Sequence, residues 1–388
     1  MCHVAYCKPG GEDVVFENEK ALMQEAGVDV VSLLLHNEAI DDGKWLELLR
    51  TGIETIWSKR GYKCIAKALQ SEQPDIVHFH NTFPLLSPSA YVACKNAGVP
   101  VVQTLHNFRL ICANAILYTK GETCECCVGR KIPMPALQYR CYRNSIAATA
   151  AVASMQIFHR LIGTFNSHVN CYLALTSFAK TRLVRGGLPG NRISIKANFL
   201  PNPPNPCFDV GKYALFVGRI AEEKGVDVLL DAWSKVNGLQ LVVAGDGPLF
   251  YDLQQKEAVK IGKASMLGYQ SKEEVQSLMA ASAFIVIPSV CYEGFPMVIL
   301  EAFASGKPVL CSRLGGLDEL VLEDVTGKKF NPGNAADLAN IVNESILDKK
   351  LLQQMGRAAR DEFNLKYTAD TAKKELLRIY ENVLSERA

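Results

Sequence analysis

In the run CYEGFPMVILEAFASGKPV, residues 291–309, two carboxylates, Glu293 and Glu301, stand eight positions apart in an apolar helical pattern. Pro296 suits a first helical turn, where its missing N–H has no intrahelical partner to lose. Glu293 is then expected in a loop just before the helix, and Glu301 about one and a half turns inside it. The free amides around Gly294, Phe295 and Met297 would form the positive end of that helix, which suits a phosphate or another anion. A polyhydroxylated ligand with phosphates in its middle could rest there, its hydroxyls donating to Glu293 on one side and to Glu301 on the other. The same pattern also suits an acidic first turn that only complements the helix dipole.

A second constellation lies in FVGRIAEEKG, residues 216–225, where a strand pattern ends in Gly218 and is followed by Arg219 and Lys224 in a glycine-bounded loop. Arginine offers a planar fork to phosphate and lysine a point charge, so the pair could neutralise a diphosphate. By itself a surface Arg and Lys is common. In MLGYQ, Gly268 and Tyr269 stand at a strand end, where a backbone edge and an aromatic face could receive a nucleobase. VVAGDGP, residues 242–248, puts glycines where a strand turns into its helix, but it is not the GxGxxG of a dinucleotide site, so a nicotinamide-dependent oxidoreductase is not indicated. Nearer the start, PGGED has Gly10 and Gly11 in a loop that lets backbone approach a ligand. VVQTLHN ends a strand pattern with His106, a residue type that is otherwise often a satisfied structural group. HFHN offers His78 and His80 at alternate strand positions with no third metal ligand in view, which reads as packing or cleft lining.

These residues need strands to carry them, and the pattern supplies two sets. Short apolar or β-branched runs begin at 29, 75, 100 and 171, and again at 213, 239, 282 and 308, separated by longer helical patterns. Such alternation implies parallel sheets covered on both faces. The stretch NFLPNPPNPCFDVGK has four prolines within residues 201–206, which neither a helix nor a central strand tolerates. The expected fold is therefore α/β with two Rossmann-like domains facing a cleft, residues 1–200 and 201–365. A terminal helix, 366–388, is expected to pack back toward the first domain. The chain has 388 residues and 48% apolar composition, enough for two cores.

Net charge is +2, yet residues 1–207 hold 21 Lys and Arg against 15 acids, and the rest 21 against 25. No acid falls between Glu125 and Asp209, so this segment could favour an anionic membrane surface or an acidic substrate, or be a face balanced by acids from elsewhere in the fold. The start has no basic-then-apolar leader pattern, which points to a reducing cytoplasm for the thirteen cysteines, as free thiols or metal ligands. The small-residue run at 145–163 is too weakly apolar to span a bilayer and reads as a packed helix or one lying on a membrane. Cys124 and Cys127 have CxxC spacing, with Cys112 twelve positions before and Cys141 fourteen after. A four-thiolate structural zinc, reduced thiols, and a redox or cluster role all remain open.

The order GRIAEEKG, AGDGP, LGY, then PS…EGFPMVILEAFASGKPV…GG resembles the nucleotide-sugar-binding half of the group 1, or family 4, retaining glycosyltransferases of GT-B fold. The likeness is tight over about 210–330 and looser elsewhere, and the cysteine segment resembles an insertion in some bacterial surface-polysaccharide members. It implies a diphosphate-binding pair at Arg219 and Lys224. It also implies that Glu293 holds donor-sugar hydroxyls and Glu301 the ribose, that amides near Phe295, Met297 and Val298 meet the diphosphate, and that Tyr269 borders the base. His106 matches a histidine near the donor sugar, and Gly10 and Gly11 a first glycine loop. Only eight residues precede Pro9, so the strand before that loop is short or the sequence begins late.

The function implied is transfer of a sugar, with retention, from a nucleoside-diphosphate sugar to a hydroxyl of a lipid-linked or saccharide acceptor, in surface-polysaccharide synthesis. It needs no metal for the chemistry and no nucleic acid, and would take place in the cytoplasm or at the inner face of the plasma membrane. A nucleotide-sugar 2-epimerase and a non-catalytic sugar-nucleotide-binding protein are the alternatives.

Overall fold

The computed structural model describes residues 1–5, 10–36 and 45–386, with backbone alone for 45–49. It divides into two compact units, one of residues 1–119, 124–198 and the C-terminal stretch from Ala369, the other of residues 120–123 and 199–368.

The first unit is built on a sheet of β1 (Cys2–Ala5), β2 (Leu33–His36), β3 (Val77–Asn81), β4 (Val101–Leu105), β7 (Cys171–Ala174) and β8 (Ile193–Ile195), in the order β2-β1-β3-β4-β7-β8. Every pairing is parallel, with Val77 opposite Val101 and Val102 opposite Cys171. β5 (Tyr118–Thr119) and β6 (Glu122–Thr123) form a separate two-stranded sheet. β3, β4 and β7 are buried throughout, as central strands covered on both faces must be. The C-terminal helix, Ala369–Ser385, belongs to this unit and buries Leu376, Ile379 and Tyr380.

The helix Ile146–Leu161 starts at Ser145, whose Oγ accepts from Ala148 N at 3.3 Å, and packs on the helix Trp45–Ile56 with Val152, Met155 and Gln156 buried. Among the described residues no helix is long and apolar enough to cross a membrane. Part of the basic stretch is balanced within this unit. Arg182 and Arg185 donate to Glu125 at 3.1 and 2.9 Å, and Lys196 reaches Glu19.

The second unit carries β9 (Tyr213–Val217), β10 (Gln240–Ala244), β11 (Ala264–Gly268), β12 (Phe284–Ile287), β13 (Val309–Ser312) and β14 (Gly327–Phe330), in the order β11-β10-β9-β12-β13-β14. All are parallel. Trp233, Leu229 and Leu230 of the helix Val226–Trp233 fill the core against Phe216, Val243 and Val286. From β9 the chain moves to one side for β10 and β11, then crosses for β12. The strand order therefore reverses between β9 and β12, and the loops after these two strands lie at the point where open α/β sheets take ligands.

Candidate functional site

The loops after β9 and β12 are joined backbone to backbone, since Val290 N donates to Glu223 O at 3.0 Å. Gly225 makes this possible. It sits at φ +66°, and a Cβ there would collide with the carbonyl oxygen of Pro288. On the other flank, Ile220 N donates to Asp246 O at 2.9 Å, which docks the loop after β10. Three strand ends thus share one edge.

Lys224 closes a 3₁₀ turn, Glu222–Lys224, and its Nζ donates to Glu293 Oε1 at 2.6 Å. Ser289 Oγ donates to the same oxygen at 2.6 Å. Glu293 Oε2 takes no hydrogen bond among the described residues. Burial pulls the Lys224 ammonium toward neutrality, but the Glu293 charge and its hydrogen bond outweigh that and raise it above its ordinary value. Lys224 is therefore a fixed cation.

Pro296 is the N-cap of the following helix, with φ −70° and ψ 121°, and the helix runs Met297–Ala304. The proline stands one position ahead of the first turn expected for it, because its extended ψ ends the loop rather than starting the helix. Gly294, Pro296, Met297 and Val298 are half-buried, while Phe295 is buried edge-on to Tyr367 at 5.8 Å. The helix end thus offers amides rather than large polar side chains. Glu301, in the second turn, has its carboxyl raised by burial, with Lys272 opposing. Arg219 is exposed directly after Gly218, and Tyr269 is 80% exposed directly after β11. Within this unit the fold therefore brings Gly218, Arg219, Lys224, Tyr269, Glu293 and Glu301 to the carboxyl edge of one sheet or the helix beginning there.

In the first unit Gly10 is the N-cap of the helix Gly11–Glu25, and its N–H donates to Asp13 Oδ2 at 2.6 Å. No atom would crowd a Cβ at Gly11. Pro9 lies outside the described residues. Asn107 Nδ2 donates to Glu12 Oε1 at 2.7 Å, so the segment holding His106 is tied to the glycine-bearing helix start.

His106 directly follows β4 and stacks on His80, with Nε2 and His80 Nδ1 3.1 Å apart. His80 Nε2 faces Glu19 Oε2 at 3.3 Å, and Glu19 Oε1 accepts from Lys196 Nζ at 2.6 Å. Burial opposes the Glu19 charge, but Lys196, His80 and His78 outweigh it and hold the carboxyl well below the usual range. Burial and the neighbouring His80 hold His106 neutral, well below the ordinary histidine value.

The sequence offered no third ligand beside His78 and His80, and the fold supplies one. The ligand atoms of Glu19, His78 and His80 lie within 4.8 Å of one another. Glu19 Oε2 and His80 Nε2 are buried without a hydrogen-bond partner among the described residues, but the other bonds of the group argue against a metal. Lys196 already occupies Glu19, and His78 is bonded to Tyr380 OH at 2.7 Å and Thr104 Oγ1 at 2.8 Å. A cation here would sit beside an ammonium. Glu19 and Lys196 escaped the sequence reading. The available signal was Glu19's place on the buried stripe of its helix, between Val15, Phe16, Leu22 and Met23.

Comparison with known proteins agrees with this architecture. The profile described as "Glycosyltransferase Family 4" matches residues 10–202, and that described as "Glycosyl transferases group 1" matches residues 205–362. An uncharacterized glycosyltransferase of Methanocaldococcus jannaschii is 32% identical over 327 residues, 83% of this chain and 79% of that one. Among solved structures, HepE of Anabaena, in complex with UDP, superposes with a TM-score of 0.68 at 17% identity, over 98% of this chain and 99% of that one. The apo lipopolysaccharide outer core galactosyltransferase WaaB gives 0.65 at 18% identity, over 100% of both chains. With two parallel α/β sheets, both family profiles and a relative of this identity, the chain belongs to the group 1, family 4 glycosyltransferases of GT-B fold and is a glycosyltransferase.

Proposed function

We propose that the enzyme moves a glycosyl unit from a nucleoside-diphosphate sugar to a hydroxyl of a lipid-linked or saccharide acceptor in surface-polysaccharide synthesis, with retention at the anomeric carbon. The observation that carries the donor assignment is the Lys224–Glu293 pair, 2.6 Å apart where the strand order reverses, beside the N-terminus of the helix Met297–Ala304. The UDP held by HepE supports a nucleotide donor.

In this reading Glu293 is turned by Lys224 and Ser289 so that Oε2 accepts a hydroxyl of the donor sugar. Arg219, Lys224 and the amides at Met297 and Val298 receive the diphosphate. Negative charge grows on that diphosphate as the glycosidic bond breaks, so these groups bind the transition state more tightly than the ground state. Glu301 accepts from the ribose, and Tyr269 borders the base. Attack comes from the face the diphosphate leaves, with its phosphate taking the acceptor proton, so no protein nucleophile is needed. His106, held neutral, orients a sugar hydroxyl, and Gly10 and Gly11 let backbone come close. The exposed Arg130, Lys131, Arg140 and Arg143 share a segment with exposed Ile132, Met134 and Ile146, which supports an acceptor at an anionic membrane face.

The test is a screen of nucleoside-diphosphate sugars, with and without acceptor, followed by nucleotide release and by the configuration of the product. Transfer with retention in the native enzyme, crippled in Glu293→Ala, supports the reading. Isomerisation of the donor without acceptor would make it an epimerase, and donor binding with no turnover a binding protein.

A further inference from the structure

The segment from Cys112 to Cys141 has little regular structure to hold it. It contains β5, β6 and one short helix, Met134–Gln138. Among the described residues nine non-glycine positions have positive φ, and six of them fall between Ala115 and Asn144. Each such residue costs energy that the surroundings must supply. Arg160 donates to Leu110 O at 3.1 Å and to Arg130 O at 3.0 Å, so a guanidinium bridges the backbone before Cys112 and after Cys127.

Inside this segment, Cys112, Cys124, Cys127 and Cys141 all line one cavity of ≈ 10 Å³. Among the described residues no carboxylate or imidazole lines it; the cysteine sulfurs share the lining with Asn114, Thr119 and two tyrosines, and they are its ionisable soft ligands. Cys126, between two of the four, is exposed and is not part of the lining.

We propose that Cys112, Cys124, Cys127 and Cys141 bind one zinc ion as a structural site that cross-links this segment. A four-thiolate shell suits Zn²⁺ over hard cations and leaves no position open for substrate. No three of the four sulfurs lie mutually within 4.8 Å, so zinc, with Zn–S bonds of about 2.3 Å, draws them inward onto the cavity. Binding releases four thiol protons and leaves a dianionic centre, which the Arg160 charge offsets in part. The cross-link holds the positive-φ turns in place.

The test counts metal in the full-length enzyme, purified under reducing conditions without added metal, and does not depend on glycosyl transfer. One zinc per chain is expected, released by a mercurial reagent in step with thiol modification and accompanied by a lower thermal midpoint. Cobalt exchanged into the site should give the absorption pattern of a tetrahedral tetrathiolate. Cys126→Ser should keep one equivalent, whereas Cys124→Ser and Cys141→Ser should lose at least nine-tenths of it. If a cysteine variant does not fold, the mercurial release on the native chain still decides. A reduced native protein that holds no zinc and takes up none when zinc is added overturns the proposal, as does iron with labile sulfide at these residues or a pair of native disulfides.

Discussion

Lys224 Nζ and Glu293 Oε1 stand 2.6 Å apart although 69 positions separate them, because β9 and β12 are neighbours in the sheet and each ends in the loop that carries one of the pair. The geometry makes the two residues one unit. Lys224 holds the carboxylate in a single orientation, and the carboxylate keeps the lysine charged. Removing either should therefore cost more than its own contact with the donor. Lys224→Ala and Glu293→Ala are each expected to lower kcat/KM by roughly 10²–10³, the loss typical of a single preorganised charge-stabilising group. The double variant should be little worse than either single one. Steady-state nucleotide release measures this, and full turnover in either variant would sink the assignment.

The buried Lys196–Glu19 pair, with both side chains 1% exposed or less, makes a stability prediction. Lys196→Met strands a carboxylate in the core beside two histidines, and a loss of about 3–5 kcal/mol is expected. Glu19→Leu strands the ammonium instead. The double variant should recover a large part of the sum, because neither charge is then left alone. Denaturant melts of the four proteins provide the cycle. Additive losses would mean that the pair is not coupled as the 2.6 Å contact requires.

Much of the fold is legible in the sequence because central parallel strands are apolar throughout. DIVHFHN, PVVQTLHN, LQLVVAGDG and SAFIVIPS become β3, β4, β10 and β12. The edges are harder. β14 is GKKF, with Lys328 and Lys329 turned to Asp324 and Asp318, and a polar edge strand carries no apolar run to read. At the site, residue types and order suggest a diphosphate loop and a glutamate helix. The direct Lys224–Glu293 bond follows only from which strands pair. The Glu19 network is less legible still, since its members come from positions 19, 80, 106 and 196 and meet only through the sheet order.

The buried histidines predict acid sensitivity of the first unit. His159 bonds Thr164 Oγ1 at 3.0 Å and Ile56 O at 2.8 Å, and burial lowers it from 6.5 to about 4. His78 and His106 are held well below 6.5, also by burial. In each case the unfolded chain takes up a proton at a higher pH than the folded one. For His159 the stability that neutral burial provides is thus full above pH 6.5 and falls as the pH drops toward 4, by about 1.4 kcal/mol per pH unit in that window, and His78 and His106 act in the same direction. His159→Gln should flatten the pH dependence by about 2 kcal/mol between pH 6.5 and 5. Denaturation midpoints read at both pH values test this, and an unchanged slope in the variant would show that His159 is not the titrating group.

Membrane association is the remaining prediction, and its sign follows from what the basic stretch keeps after internal pairing. Arg182 and Arg185 are drawn to Glu125, and Lys196 to Glu19, so those charges are partly neutralised. Lys131 and Arg143 are exposed, and Leu161 is 80% exposed at the end of the helix Ile146–Leu161. Attraction to an anionic surface is worth about 1 kcal/mol per basic residue and is screened by salt. The enzyme should therefore sediment with vesicles that contain an anionic phospholipid, weakly with purely zwitterionic ones, and less as ionic strength rises. Reversing two charges, with Lys131→Glu and Arg143→Glu, should weaken binding by roughly tenfold or more, since attraction is removed and repulsion added at each site. Leu161→Gln should weaken it without changing the salt slope, because it removes only apolar contact. Binding indifferent to salt, to lipid charge and to these substitutions would place the acceptor away from a membrane surface.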